Sequence, residues 1–305
     1  MPQSHPARGV VSDPLPGTTM ADERSMPFAA ATRAALEHLV NNGVVLLGDT
    51  VGMPGSPTEG VTGLALPASD RGAAGVALGM AMAGTPVVLE LPDAGRLAAV
   101  ADVLAEAARL AGTDFAPTLV VRVPYGQLPG LDAPLGRVLA PIPDLAVLCP
   151  STPAAAAGLL LHAAQRRGPT VVLEGRSLAQ RRGTVRLEAQ APELVERRAG
   201  SHVTIASWGQ GVAGALAAAE SLSSEGIDAQ VVDVEALRPL PVDALGEHVR
   251  RTGRLVVAHP ADDAVANLVR MGGLDAAFLH LESPLTTVPA APSAIAQAAR
   301  DAVFY

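Results

Sequence analysis

The sequence predicts an α/β protein of two tandem domains, each with a mostly parallel sheet covered by helices. Short apolar segments rich in Val and Leu alternate along the chain with longer segments whose apolar residues recur at helical spacing. Continuous apolar strands of this kind are typical of parallel sheets buried on both faces. A polar, Arg- and Glu-rich stretch over residues 176–201 separates two such series and predicts two domains.

The first domain is expected over residues 29–185. Residues 1–28 are rich in Pro, Ser, Thr and Gly and lack the apolar segment of a secretory signal, so we expect a disordered tail there. The predicted elements then follow in order: helix 29–41, strand 44–50, helix 68–84, strand 85–91, helix 96–111, strand 117–123, strand 145–150, helix 153–166 and strand 169–174.

The second domain is expected over residues 202–305, after a linker at 186–201. Its predicted strands are 203–208, 229–234, 254–259 and 277–281, and its predicted helices are 212–224, 241–252, 262–271 and 293–303. A strand followed by a helix recurs here as well, which favours a second parallel sheet.

The amino-acid composition excludes several classes of partner and of catalytic site. Of 305 residues, 49% are hydrophobic, enough for a large core, and the net charge of −8 argues against nucleic acid or an anionic membrane as partner. All 22 residues in the lysine-plus-arginine count are arginines, which excludes a Schiff-base or P-loop lysine. One cysteine, Cys149, permits no intrachain disulfide and suits a cytoplasmic location, and neither a structural metal site nor a membrane span is expected.

Residues 68–84 form the most distinctive stretch of the first domain. Ser69 and Asp70 are good N-cap residues, and Gly72, Gly75 and Gly79 share one face of the predicted helix. Glycines on one helix face allow another backbone segment to approach closely, so we expect this helix to be buried and closely packed on that face. Asp70 would stand at the helix N-terminus, a common place for a site, although a core helix with Asp70 as a plain cap is the simpler interpretation.

A second glycine motif lies at Gly209–Gly214, which reads G-x-G-x-x-G between a predicted strand and helix. Asp233 ends the next strand, as in the dinucleotide-binding fingerprint, so an NAD-dependent dehydrogenase is an alternative function. The pattern is short, and strand–Gly–helix turns also occur in α/β domains that bind nothing.

Several segments together carry a family resemblance. They are LGDTVG at 47–52, ASDRGAAGVALGMA at 68–81, RVPYG at 122–126, PDLAVLCPSTP at 143–153, SHVTIASWG at 201–209, VDVEALRPL at 232–240 and TGRLVVAH at 252–259. In this order and spacing they resemble the β subunit of the thiamine-diphosphate-dependent 2-oxo-acid dehydrogenases of the pyruvate dehydrogenase type. The same architecture forms the C-terminal half of transketolase.

The resemblance implies a pyrimidine-binding domain followed by a transketolase C-terminal domain, in an enzyme that decarboxylates a 2-oxo acid or transfers an acyl or ketol unit. It implies thiamine diphosphate as cofactor, bound with Mg mainly by an α-type partner chain in an α2β2 heterotetramer. The Gly-Asp-Gly…Asn signature of such a partner is missing from this sequence. Asp70 stands where the family has the glutamate that hydrogen-bonds a pyrimidine ring nitrogen and favours the imino tautomer.

The resemblance also assigns Asp49, Pro92 and Tyr125 to the cofactor side. Three departures mark this side: the acid Asp70 is one methylene shorter than glutamate, Pro92 falls where a stacking Phe is expected, and loop 130–136 lacks the family's substrate His. Two functions remain open: an active subunit with unusual chemistry, or a catalytically weakened scaffold. The acyl donor and acceptor are not specified by the sequence.

Overall fold

The computed structural model describes residues 23–67, 69–126, 138–260 and 263–305. Over these ranges the chain forms a seven-stranded sheet, a five-stranded sheet and a two-stranded sheet. The two large sheets are mostly parallel and flanked by helices, so the predicted α/β class is confirmed. Within the same ranges, every helix is too short or too polar to cross a bilayer.

The first large sheet has the spatial order β12-β6-β7-β5-β4-β2-β3. Its strands are β2 (Val45–Gly48), β3 (Leu64–Ala65), β4 (Val87–Glu90), β5 (Thr118–Tyr125), β6 (Ala146–Leu148), β7 (Gly168–Gly175) and β12 (Ala236–Arg238). Its helices are α1 (Phe28–Asn41), α2 (Asp70–Met82), α3 (Leu97–Leu110) and α4 (Pro153–Ala163). Successive strand residues point to opposite faces, so Val87 and Leu89 pack in one apolar cluster with α2 and α3, whereas Val88 packs with α1 and α4.

The second large sheet has the order β14-β13-β10-β11-β9. Its strands are β9 (Leu194–Arg198), β10 (Val203–Ser207), β11 (Ala229–Val234), β13 (Leu255–His259) and β14 (Thr286–Pro289). Its helices are α5 (Gly211–Ser223), α6 (Val242–Thr252), α7 (Asp263–Ala277) and α8 (Pro292–Val303). Only β9 runs antiparallel to its neighbour among these five strands.

Strand β12 joins the two sheets. The chain leaves β11 at Val234, passes through Glu235, and enters the first sheet as β12, antiparallel to β6. The Arg238 guanidinium then donates to the carbonyl oxygens of Leu139 and Ala140. The second half of the chain therefore supplies an edge strand to the sheet built by the first half.

Three boundary predictions need correction. Residues 24–27 of the expected tail form β1 (Arg24–Pro27), which pairs antiparallel with β8 (Arg182–Val185), while residues 1–22 lie outside the described ranges. Part of the expected linker is β9, whose Val195 and Glu196 pair with β11. In both cases the pairing is with a strand distant in sequence, so local polarity gave no sign of it.

The strand predicted at 277–281 is also wrong, because residues 278–280 form a 3-10 turn after α7. Phe278 and Leu279 are exposed there, so apolar composition was a misleading signal. The edge strand is β14 instead, where Thr286, Thr287 and Val288 supply the β-branched side chains that favour extended structure.

Helix α2 packs on the first sheet through alanines rather than through its glycines. Ala73, Ala74, Ala77 and Ala81 are the buried residues, whereas Gly72, Gly75 and Gly79 are exposed. A Cβ added at Gly75 or Gly79 would meet no atom within 4 Å. The expectation that the glycine face is buried is therefore wrong for the single chain, because no described part of this chain covers that face.

Candidate functional site

The carboxyl ends of the parallel strands bring two of the predicted site residues, Asp49 and Pro92, to one edge of the first sheet. Asp49 follows β2, Pro92 follows β4 by two residues, and Arg176 follows β7. Open α/β sheets place ligands outside this edge. The N-terminus of α2, where Asp70 lies, opens onto the same edge, since Asp70 and Asp49 share one ion-pair partner.

Asp70 is the first residue of α2 but does not cap it. The cap is Ser69, whose Oγ accepts a hydrogen bond from the Gly72 N–H at 3.3 Å. The Asp70 carboxylate is thus released from helix capping and is 21% exposed. The plain-cap interpretation of Asp70 does not hold, and its carboxylate is available for other partners.

One arginine links the two predicted acids. Arg96 Nη1 lies 3.1 Å from Asp49 Oδ2 and 3.1 Å from Asp70 Oδ1, and Arg96 Nε lies 3.6 Å from Asp93 Oδ2. The hydrogen bond to Asp70, outweighing partial desolvation, raises the pKa of the Arg96 guanidinium. The structure thus brings Asp49 and Asp70 together, 21 residues apart in sequence, around a shared cation.

Sequence reasoning missed Arg96. The residue immediately precedes α3, where the helix N-terminus carries partial positive charge and disfavours a cation. A basic residue at that position needs nearby acids, and this was the signal that could have identified it. Asp93, Asp49 and Asp70 supply those acids.

Pro92 lies at the same edge and is half-buried. Its carbonyl oxygen accepts a hydrogen bond from Arg176 Nη2, which ties the segment after β4 to the end of β7. The residue presents a saturated ring rather than an aromatic face. Pro92 can therefore contact a bound ring, but it cannot provide aromatic stacking.

Tyr125 lies in the interior rather than at an open cleft, with only 2% of its surface exposed. Its hydroxyl is 3.5 Å from Cys149 Sγ and accepts the Gln210 backbone N–H at 3.3 Å. Burial raises the pKa of Tyr125 well above its usual value and that of the Cys149 thiol to about 12, so both groups stay protonated. The geometry makes Tyr125 a contact between the two sheets.

A buried ion-pair network fixes the strand ends behind the site. Arg122 on β5 donates to both carboxylate oxygens of Glu174 at 2.7 Å and to Glu90 Oε2 at 3.0 Å. Burial alone would lower the pKa of Arg122, but the charges of Glu174 and Glu90 outweigh it and raise the value. Glu90 lies two positions before Pro92 and Glu174 two positions before Arg176, so the network fixes the segments that follow β4 and β7.

The G-x-G-x-x-G segment is filled by the chain itself. A Cβ at Gly211 would lie 2.5 Å from Ser207 Oγ and 3.1 Å from Ala290 Cβ, and one at Gly214 would overlap the Ala290 carbonyl oxygen. The Gln210 N–H at the start of α5 is bonded to Tyr125. In dinucleotide-binding proteins these glycines leave room for a pyrophosphate. Here Ser207 and Ala290 occupy that room, so the motif gives no support for dinucleotide binding.

Asp233, the acid of that fingerprint, is buried in the seam between the sheets. It accepts hydrogen bonds from Ser151 Oγ at 2.5 Å and from Arg197 Nη2 at 2.7 Å. Arg197 Nη2 also lies 3.3 Å from Glu235 Oε1. Burial, followed by the charge of Asp233, raises the pKa of Glu235 to about 7.

No group of three His, Cys, Asp or Glu side chains suited to a metal ion occurs among the residues that the structure describes. At the sheet edge the site offers the Arg96 guanidinium and the three carboxylates around it, those of Asp49, Asp70 and Asp93. This set can hydrogen-bond a heteroaromatic ring, but it does not resemble the carboxylate cage of a bound Mg²⁺. Loop 130–136, where the sequence lacks the family's substrate His, lies outside the described residues.

Comparisons with known proteins agree with this architecture. The family "Transketolase, C-terminal domain" matches residues 193–301. The chain is 32% identical over 292 aligned positions to the pyruvate dehydrogenase E1 component subunit beta of Bacillus subtilis, covering 87% of this chain and 89% of that protein. The corresponding subunit of Staphylococcus epidermidis is 31% identical over 272 positions, covering 81% of this chain and 83% of that protein.

Solved structures share the fold at lower identity. A split-gene transketolase, described as an inactive beta4 tetramer, has a TM-score of 0.72 at 20% identity, covering 92% of this chain and 98% of that one. A 2-oxoglutarate:ferredoxin oxidoreductase from Magnetococcus marinus has a TM-score of 0.66 at 13% identity, covering 93% of this chain and 66% of that one.

Proposed function

Because the chain belongs to the family of pyruvate dehydrogenase E1 β subunits, which are thiamine-diphosphate-dependent enzymes, we propose that it is the β-type subunit of a two-chain enzyme of this kind. In this proposal the complex decarboxylates a 2-oxo acid or transfers an acyl or ketol unit. The observation that carries the proposal is the Asp70 carboxylate, released from helix capping at the sheet edge beside an open helix face.

The residues present fit one side of the cofactor. Asp70 can hydrogen-bond a pyrimidine ring nitrogen, Asp49 lies beside it, and Pro92 lies at the same edge. When bound, thiamine diphosphate supplies the electron sink that lets a 2-oxo acid lose carbon dioxide. Asp70 would hold a proton at the ring nitrogen, which is acid–base catalysis by a positioned carboxyl group. Aspartate reaches about 1.5 Å less far than glutamate, so the ring must approach α2 closely.

The open face of α2 supports a partner chain at this site. Gly75 and Gly79 admit another backbone, and Val76 and Met82 on the same helix are exposed apolar side chains. An α-type chain docked here would bring the diphosphate and Mg²⁺ ligands that the described residues do not offer. We therefore propose an α2β2 heterotetramer in the cytoplasm.

Replacing Asp70 with Ala in the assembled complex tests the proposal. Loss of a positioned acid lowers turnover by roughly 10²- to 10⁴-fold in general, and we expect kcat to fall at least about 100-fold with assembly intact. The control is Glu106→Ala, which removes an exposed carboxylate from α3.

A weakened scaffold is the second candidate function. It is favoured by the absence of an aromatic side chain at Pro92 and by the pairing of Asp70 with Arg96. Unchanged turnover and unchanged cofactor affinity in Asp70→Ala would support the scaffold and contradict a catalytic Asp70.

A further inference from the structure

We propose that Arg96 is a latch on Asp70, which pairs with the acid in the cofactor-free chain and releases it when the pyrimidine ring binds. This inference rests on the proposed function, since it concerns the same acid. It makes Arg96 a positioning residue rather than a catalytic one, and it concerns the equilibrium between two states of the site.

The first argument is geometric. A single nitrogen, Arg96 Nη1, carries two N–H bonds and lies 3.1 Å from Asp49 Oδ2 and 3.1 Å from Asp70 Oδ1. The three side chains are only 19% to 36% exposed, so the ion pairs are partly shielded from water. Asp70 Oδ1 is therefore engaged before any cofactor arrives.

The second argument concerns the proton. An unprotonated ring nitrogen has only a lone pair to offer, so Asp70 must donate a hydrogen bond to it, and only a protonated carboxyl group can donate. A guanidinium has only N–H groups, so the carboxyl group must accept from Arg96, whereas it must donate to the ring nitrogen. The Arg96 contact and the ring contact thus require opposite hydrogen-bond roles from one short side chain, and they compete for its orientation.

The third argument concerns the fate of the cation after release. Asp49 at 3.1 Å and Asp93 at 3.6 Å both remain within reach of Arg96 when Asp70 leaves. The guanidinium therefore keeps two carboxylate partners at the mouth of the site. Because these two partners stay bound, release of Asp70 costs less than loss of the whole ion-pair cluster, and a ligand that binds the released arrangement shifts the population toward it.

The test is the dissociation constant of thiamine diphosphate for the assembled complex, measured by calorimetry with Mg²⁺ present. Arg96→Gln removes the competing cation, and we expect binding to tighten about fivefold, the size of a partly exposed ion pair. Arg109→Gln is the matched control, since it removes an exposed, ion-paired arginine from α3 and should leave the constant unchanged.

Asp93→Asn is the second variant and has the opposite expected sign. It removes one alternative partner of Arg96 without touching Asp70, so the latch should close more often and binding should weaken about twofold. It decides the question if Arg96→Gln fails to assemble. Unchanged or weaker binding in assembled Arg96→Gln, or unchanged binding in Asp93→Asn, overturns the latch.

Failure of the proposed function is a separate result. If the unmodified complex does not bind thiamine diphosphate, or if Asp70→Ala binds it with unaltered affinity, Asp70 is not the acid at the ring. Pairing with Arg96 then has no effect on cofactor binding, and the latch is refuted together with the proposed function. If the unmodified complex binds and Asp70→Ala changes the affinity while Arg96→Gln does not, the function stands and the latch alone is refuted.

Discussion

Helices α2 and α5 both carry closely spaced glycines, yet the two glycine faces have opposite surroundings. At Gly211 and Gly214 of α5, an added Cβ would collide with Ser207 and Ala290 of the same chain. At Gly75 and Gly79 of α2, an added Cβ would touch nothing. A glycine face therefore shows that close approach is permitted, and only the structure shows whether the approaching atoms are already present in the chain.

The largest expected effect comes from placing a bulky side chain on the open glycine face of α2. We expect Gly75→Leu to weaken association with the partner chain at least about 100-fold, because a bulky side chain blocks backbone approach in a close-packed interface. The free chain should stay folded, since Gly75 has open space around it and leucine is a better helix former.

Sedimentation velocity over a titration of the partner chain measures this association. Glu106→Leu, which adds a similar apolar side chain to an exposed position of α3, is the control. Undiminished association of Gly75→Leu would show that the face of α2 is not the docking surface.

The next largest effect is expected on the free energy of unfolding, at the occupied glycine face of α5. We expect Gly214→Ala to lower the free energy of unfolding by about 2–3 kcal/mol, because the new methyl group overlaps a backbone oxygen that cannot rotate away. Gly79→Ala on α2 is the matched change and should raise the same free energy by about 1 kcal/mol through helix propensity. Urea unfolding of the two variants measures both values, and equal effects would remove the distinction between the faces.

The smallest expected effect concerns Glu235, which is buried in the seam between the two sheets. The pKa of Glu235 is raised from 4.5 to about 7 in the folded chain, so between these pH values the folded state holds a proton that the unfolded state has lost. The free energy of unfolding therefore falls as pH rises from about 4.5 to about 7.

Glu235→Gln lacks this titration. Its stability relative to the unmodified chain should rise by at most about 1.4 kcal/mol per pH unit across that pH interval and stay constant above it. Denaturant unfolding at a series of pH values measures the difference. A difference independent of pH would mean that Glu235 is ionised throughout in the folded chain.

The sequence was sufficient for the fold class, because the alternation of apolar strands with amphipathic helices follows from local composition. The family resemblance assigned Asp70 and Asp49 to the cofactor side, and the structure places both beside Arg96. The contact between Arg96 and both acids was not predictable, since it joins residues 26 and 47 positions apart. The strand β9 was missed for the same reason.

The crossing of β12 into the first sheet limits how the chain can be divided. A fragment that stops before residue 236 would keep β6 but lose its antiparallel neighbour, leaving a bare row of backbone donors and acceptors. Such an edge recruits other molecules, so the amino-terminal half made alone would aggregate unless a second polypeptide supplied the missing strand. The boundary between the two sheets is therefore not a position at which the chain can be cut into two stable fragments.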